Sequence, residues 1–143
     1  MPPSISFELA IAILFLLGLE ASASLILTLA VEVPVAAMMG LRRRREIAAV
    51  VCVSLITNPV LIWLTYSLGV LQYELGLAPW EAHPLRFPLV VAVLEVVVVL
   101  VEWRLLTWAL AKPSRQMLLV SAVTNAASVL VGVLLYFGLQ AIP

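Results

Sequence analysis

The sequence predicts an all-α integral membrane protein whose four transmembrane helices form two helical hairpins, and three features carry that expectation. Apolar residues make up 64% of the 143-residue chain and charged residues only 11%, with mean hydropathy +1.18. Soluble domains run near about 45–50% apolar and about 25% charged. The length holds about four spans of ~20 residues joined by short connections. Basic residues gather in two short segments, Arg42 to Arg45 and Lys112 with Arg115, as turns on one side of a membrane require.

Taken in order, the N-terminus from Met1 to Glu8 has no Lys or Arg ahead of its apolar run. A cleavable signal peptide needs that positive start, so the first run reads as a retained helix. It stays apolar from about Leu9 to Leu41, longer than a bilayer core requires, and Pro34 is the place for a bend. Helix 2 reads from about Ile47 to Val70. Pro59 follows Asn58 directly and removes the helical donor for the Leu55 carbonyl, which predicts a break there. The first hairpin thus covers about 9–70, and an outer loop with Trp80 and His83 covers about 71–87. The second hairpin covers about 88–139, with a Val-rich helix 3 to Ala111, a turn at Lys112-Pro113-Ser114-Arg115, and helix 4 from Gln116. The whole chain reads as one transmembrane domain.

Orientation follows from the basic residues. Short cytoplasmic loops carry the excess of Lys and Arg, so loops 42–46 and 112–115 are expected in the cytoplasm and both termini outside a plasma (inner) membrane. The four arginines serve as a topology determinant beside anionic lipid headgroups.

Two stretches, Val53-Ser54-Leu55-Ile56-Thr57-Asn58 and Val120-Ser121-Ala122-Val123-Thr124-Asn125, share the pattern V-S-x-x-T-N, 67 positions apart, and hold the only two asparagines. Val31-Glu32 and Val101-Glu102 precede them in the corresponding first helices. Two-helix units keep their orientation when repeated, so this pattern suggests a parallel internal repeat with its axis along the membrane normal.

Polar residues inside apolar helices are the candidates for chemistry. Glu20, Ser24, Thr28 and Glu32 recur every four residues and share a stripe on helix 1. Glu95 and Glu102 share a face of helix 3, seven apart. Ser54, Thr57 and Asn58 form one face of helix 2; Ser121, Thr124, Asn125 and Ser128 form one of helix 4. Ser, Thr and Asn commonly fasten membrane helices at about 0.6 kcal/mol per bond. A charge at the bilayer centre costs about 2.5–3.5 kcal/mol, which plain packing has no need to spend several times over. Glu20, Glu95 and Glu102, with Asn58 and Asn125 as neutral ligands, are therefore the expected cation-, proton- or substrate-binding residues. Glu32, closer to the basic turn, takes a supporting place. Arg104 is expected to pair with one of the acids, though not with Glu102, because residues two apart on a helix do not face each other. Gly18 and Ser22 offer a small-residue face for close helix approach.

Absences narrow the reaction classes. There is no Asp, one His (His83) and one Cys (Cys52). An aspartyl intramembrane protease, an H-E-x-x-H zinc site, bis-histidine haem ligation and a dithiol redox centre within one chain are excluded. No phosphate-binding loop is present, and zero net charge offers nothing to nucleic acid. No catalytic constellation is visible and nothing specifies a cofactor. Glu95 and Glu102 with Asn carbonyl oxygens leave a divalent-metal site chemically open. The reading that follows is a small transport or channel-type protein, homo-oligomeric, handling a cation, proton or small solute. The alternative is a non-catalytic structural or assembly subunit of a larger membrane complex.

Overall fold

A computed structural model describes residues 7–76 and 86–140. Among them the chain is all-helical: α1 spans Phe7–Met38, α2 Arg44–Glu74, α3 Arg86–Leu110 and α4 Ser114–Gln140. The expected elements are present, with α2 and α4 longer at both ends than their apolar runs. Three helices contain segments long and apolar enough to cross a membrane, at Ala21–Met38, Arg44–Glu74 and Ser114–Leu135. The fourth, α3, is equally apolar between its charges, but Glu95, Glu102 and Arg104 interrupt it and keep it from being counted with the other three. Trp80 and His83 lie outside the described residues, as does the side chain of Glu20.

Both prolines sit inside continuous helix, Pro34 in α1 and Pro59 in α2. The expected break at Pro59 does not occur: α2 continues for more than three further turns. Pro59 is exposed on the outer surface, and a helix carries such a proline where nearby groups take up the freed carbonyl.

The turn between α1 and α2 is specified locally. Gly40 adopts φ +98°, a left-handed conformation that a Cβ would oppose. Its N–H donates to the Ala37 carbonyl (3.2 Å) and the Leu41 N–H to the Ala36 carbonyl (3.0 Å), a paired closure of the helix end. Leu41 then tucks wholly out of contact with solvent against Ala36. The α3–α4 turn reaches a similar result with Ala111 at φ +50°, followed by Pro113, which sets the start of α4.

The helices form a ring in which α1 packs on α2 and α4, and α3 on the same two. Both turns lie at one end and are tied there. Lys112 Nζ meets Glu46 Oε1 at 2.8 Å, while Glu46 Oε2 accepts the Arg43 N–H at 3.0 Å. Arg45 donates to the Ala109 carbonyl (3.4 Å), and Trp103 Nε1 to the Ser114 carbonyl (2.9 Å). The buried apolar core, made of Ala36, Leu41, Val50, Val53, Leu106, Met117 and Val120, occupies this turn-proximal part of the bundle. Towards the opposite end the described side chains become half-buried or exposed. Gly18 and Ser22 are exposed, with open space around Gly18, so their small face packs no helix among the described residues.

Candidate functional site

A layer of polar side chains lies directly above the apolar core, away from the turns. Ser54, Thr57 and Asn58 on α2, and Ser121, Thr124 and Asn125 on α4, are all buried. Their i, i+3, i+4 spacing puts each triplet on one helix face, and the ring of helices turns both faces inward. Between them come Glu32 from α1 and Glu102 from α3, at 2% and 4% exposure.

Each hairpin joins its acid to its own serine. Ser54 Oγ lies 2.6 Å from Glu32 Oε2, and Ser121 Oγ lies 3.3 Å from Glu102 Oε2. The asparagines diverge. Asn125 Nδ2 donates to Glu102 Oε2 at 2.5 Å and to the Ser121 carbonyl at 2.9 Å. Asn58 Nδ2 instead donates to Thr28 Oγ1 on α1 (2.8 Å), and its Oδ1 accepts from Ser24 (3.5 Å). The threonines diverge further. Thr57 reaches across to the other hairpin, 2.7 Å from Glu102 Oε1, whereas Thr124 bonds its own helix at the Val120 and Ser121 carbonyls. The site is asymmetric, and Glu102 is its most connected member.

The hydroxyl protons decide what this arrangement can do. Thr57 has one hydroxyl proton and two acceptors in reach, Glu102 Oε1 and the Val53 carbonyl at 3.1 Å. Ser54 stands likewise between Glu32 and the Val50 carbonyl at 3.0 Å. With an ionised acid, the hydroxyl donates to the carboxylate. With a protonated acid, the carboxyl O–H donates to the hydroxyl, which rotates and donates to the carbonyl of its own helix. Both states are fully hydrogen-bonded, so a proton can enter or leave on rotation of one hydroxyl, without displacement of heavy atoms. At Glu102 the proton belongs on Oε1, because Oε2 faces the donating amide of Asn125.

A cavity of about 30 Å³ opens beside this layer, lined among others by Thr28, Glu32, Asn58, Glu95, Glu102 and Asn125. That is room for a water molecule, with polar partners on several sides. Among the described residues no group of three or more His, Cys, Asp or Glu side chains is placed to hold a metal ion. The carboxyls share a cavity wall without converging on a common coordination point.

The structure thus brings Glu95, Glu102, Asn58 and Asn125 together, with Ser24, Thr28, Ser54, Thr57, Ser121, Thr124 and Ser128 around them. Glu32 belongs at the centre of this group. Its weight was readable in the sequence, because Val31-Glu32 matches Val101-Glu102. Arg104 stands apart: it is exposed, its guanidinium 5.8 Å from the centre of the Trp103 ring, and it makes no ion pair among the described residues. The α3 face that carries Glu102 turns inward and carries Arg104 out. Glu46, the acid that does take a cation, was marked only by its place beside four arginines. No family model, curated protein or solved structure matches this chain.

Proposed function

We propose that this chain is a multi-pass protein of the plasma (inner) membrane that binds and passes protons, as part of a small transport or channel-type device. Glu32, Glu95 and Glu102 exchange the proton, and Asn58 and Asn125 hold the surrounding hydrogen bonds. The observation that carries this reading is a water-sized cavity lined by three Glu residues and by no basic residue. Placing three acids around one small cavity, two of them fully buried, is costly in hydrocarbon and adds nothing that a Ser, Thr and Asn layer lacks for packing. The rotor arrangement of Ser54 and Thr57 supplies a low-barrier means of loading and unloading. Favouring protons over a divalent cation is the absence, among the described residues, of a converging ligand set.

In this reading α3 also spans the bilayer, its charges turned mostly into the bundle. Loops 42–46 and 112–115 face the cytoplasm and both termini the outside, and the two hairpins are copies of one unit arranged in parallel. A C-terminal reporter that proved cytoplasmic would reject the orientation. The purified protein in liposomes containing a pH-sensitive dye, under a potassium-diffusion potential, should acidify or alkalinise with the sign of the potential. Glu95→Gln and Glu102→Gln should each abolish the response, and unchanged flux in both sinks the proposal. The exposed Gly18–Ser22 face favours a second reading, in which the chain is a non-catalytic subunit docked on another membrane helix. A stoichiometric foreign partner recovered in mild detergent would support it.

A further inference from the structure

Glu95 is the one acid of the layer that the hydrogen-bond network leaves out. Glu32 and Glu102 are held by hydroxyl and amide donors, but Glu95, half-buried on α3, has no hydrogen-bond or ion-pair partner among the described residues. It stands at a junction. On one side it lines the small polar cavity; on the other it lines a groove of about 770 Å³ between α3 and α4. Asn125 is the only other residue shared by both spaces. The rest of the groove is Val, Leu and Ala, including Val96, Leu100, Ala126 and Val133, which are exposed on the outer surface of the bundle.

An outward groove between apolar helices is ordinarily filled by acyl chains, which need no acid. This one counts Glu95 and Asn125 among its lining residues, and no basic residue. Its volume falls within the roughly 300–1,000 Å³ of small-molecule sites. We propose that the α3–α4 groove is a lateral binding site for a lipophilic monovalent cation, entered from the hydrocarbon. The apolar body lies against Val96, Leu100 and Val133, and the positive charge sits against Glu95. A neutral lipid could fill the space but would leave the carboxyl as solitary as before; a cation satisfies both the apolar wall and the acid. This inference names the substrate class of the proton site described above and rests on that reading, since Glu95 is the acid the two spaces share.

The test uses the full-length protein in lipid nanodiscs and radiolabelled tetraphenylphosphonium as the probe. Saturable binding is expected, weakened about thirtyfold or more by Glu95→Gln, the low end for removing one member of a desolvated charge pair. Ala126→Trp, which fills the groove and leaves the acid in the chain, should weaken it similarly while gel filtration and circular dichroism stay unchanged. Dodecylamine, charged at pH 7, should displace the probe, and dodecanol should not. Equal binding by wild type and Glu95→Gln, or equal competition by the alcohol, would overturn the proposal in favour of a neutral lipid. Failure of wild type to bind, with Ala126→Trp converting a dimer to a monomer, would overturn it in favour of a second copy seated in the groove. Proton flux through liposomes without added cation tests the underlying reading separately, because Glu102→Gln can abolish that flux while probe binding persists.

Discussion

Replacing Glu102 separates what the carboxyl group does for the fold from what it does for protons. In the wild type it accepts from Thr57 at 2.7 Å, Asn125 at 2.5 Å and Ser121 at 3.3 Å, joining three helices. Glu102→Ala removes all three bonds. Side-chain hydrogen bonds in membranes average about 0.6 kcal/mol each and reach about 1.7 at most, so the variant should lose about 2 kcal/mol. The loss stays moderate because every donor keeps a second acceptor: Thr57 the Val53 carbonyl, Asn125 the Ser121 carbonyl, and Ser121 the Val99 carbonyl at 2.9 Å. Glu102→Gln behaves differently. Its amide nitrogen can face Thr57 Oγ1, which then donates to Val53, and its oxygen can face the Asn125 amide. Every bond is remade, and stability should remain within about 0.6 kcal/mol of wild type. Reversible unfolding in mixed micelles, followed by circular dichroism, measures both variants. If Glu102→Gln lost as much stability as Glu102→Ala, a negative charge rather than a set of interchangeable hydrogen bonds would be holding the layer, and the two-state proton accounting would be refuted.

Two further outcomes follow from the backbone. Pro59→Ala should leave the helical content unchanged and hold or raise the melting temperature in detergent, because α2 already runs straight through this position and the substitution restores a donor for the Leu55 carbonyl. A fall in melting temperature would mean that the ring of Pro59 makes a contact absent from this structure. Ala111→Gly removes a Cβ held at φ +50°, where a non-glycine residue costs about 1–2 kcal/mol, against about 0.5–1 kcal/mol of added freedom in the unfolded chain; the net gain should be about 0.5–1 kcal/mol by the same unfolding measurement.

The four helices, the turn positions and the two inward polar triplets were legible because each depends on local pattern: unbroken apolar runs, basic turns, and i, i+3, i+4 spacing. What depends on the level of one helix against another was not. The long apolar run of α1 fixes no depth for its acids, so Glu32 read as peripheral, while the structure sets it level with the serine of α2. The bond between Thr57 and Glu102 needs knowledge of which helices are neighbours in the ring, and no spacing within one helix contains that. Pro59 misled for a related reason. Proline removes a donor wherever it stands, but a helix breaks only if packing on either side exploits the gap, and this proline faces outward. Charge arithmetic alone gives Arg104 a partner but cannot tell the inward from the outward face of α3.

The distribution of bonds in the polar layer also bears on how the molecule is made. Within the layer, Glu32–Ser54, Asn58–Thr28 and Asn58–Ser24 close inside the first hairpin, whereas Glu102–Ser121 and Glu102–Asn125 close inside the second. Only Thr57 crosses. In the proposed membrane setting the first hairpin is made before α3 and α4 exist, and a polar group left without a partner at that stage would invite mispairing with any passing helix. Thr57 is protected from this, because its hydroxyl can rest on the Val53 carbonyl of its own helix. When the second hairpin arrives, the same hydroxyl is released to Glu102 by a single bond rotation. The residue that joins the halves can therefore wait in hydrocarbon without penalty, and the two hairpins can be inserted one after the other and then docked.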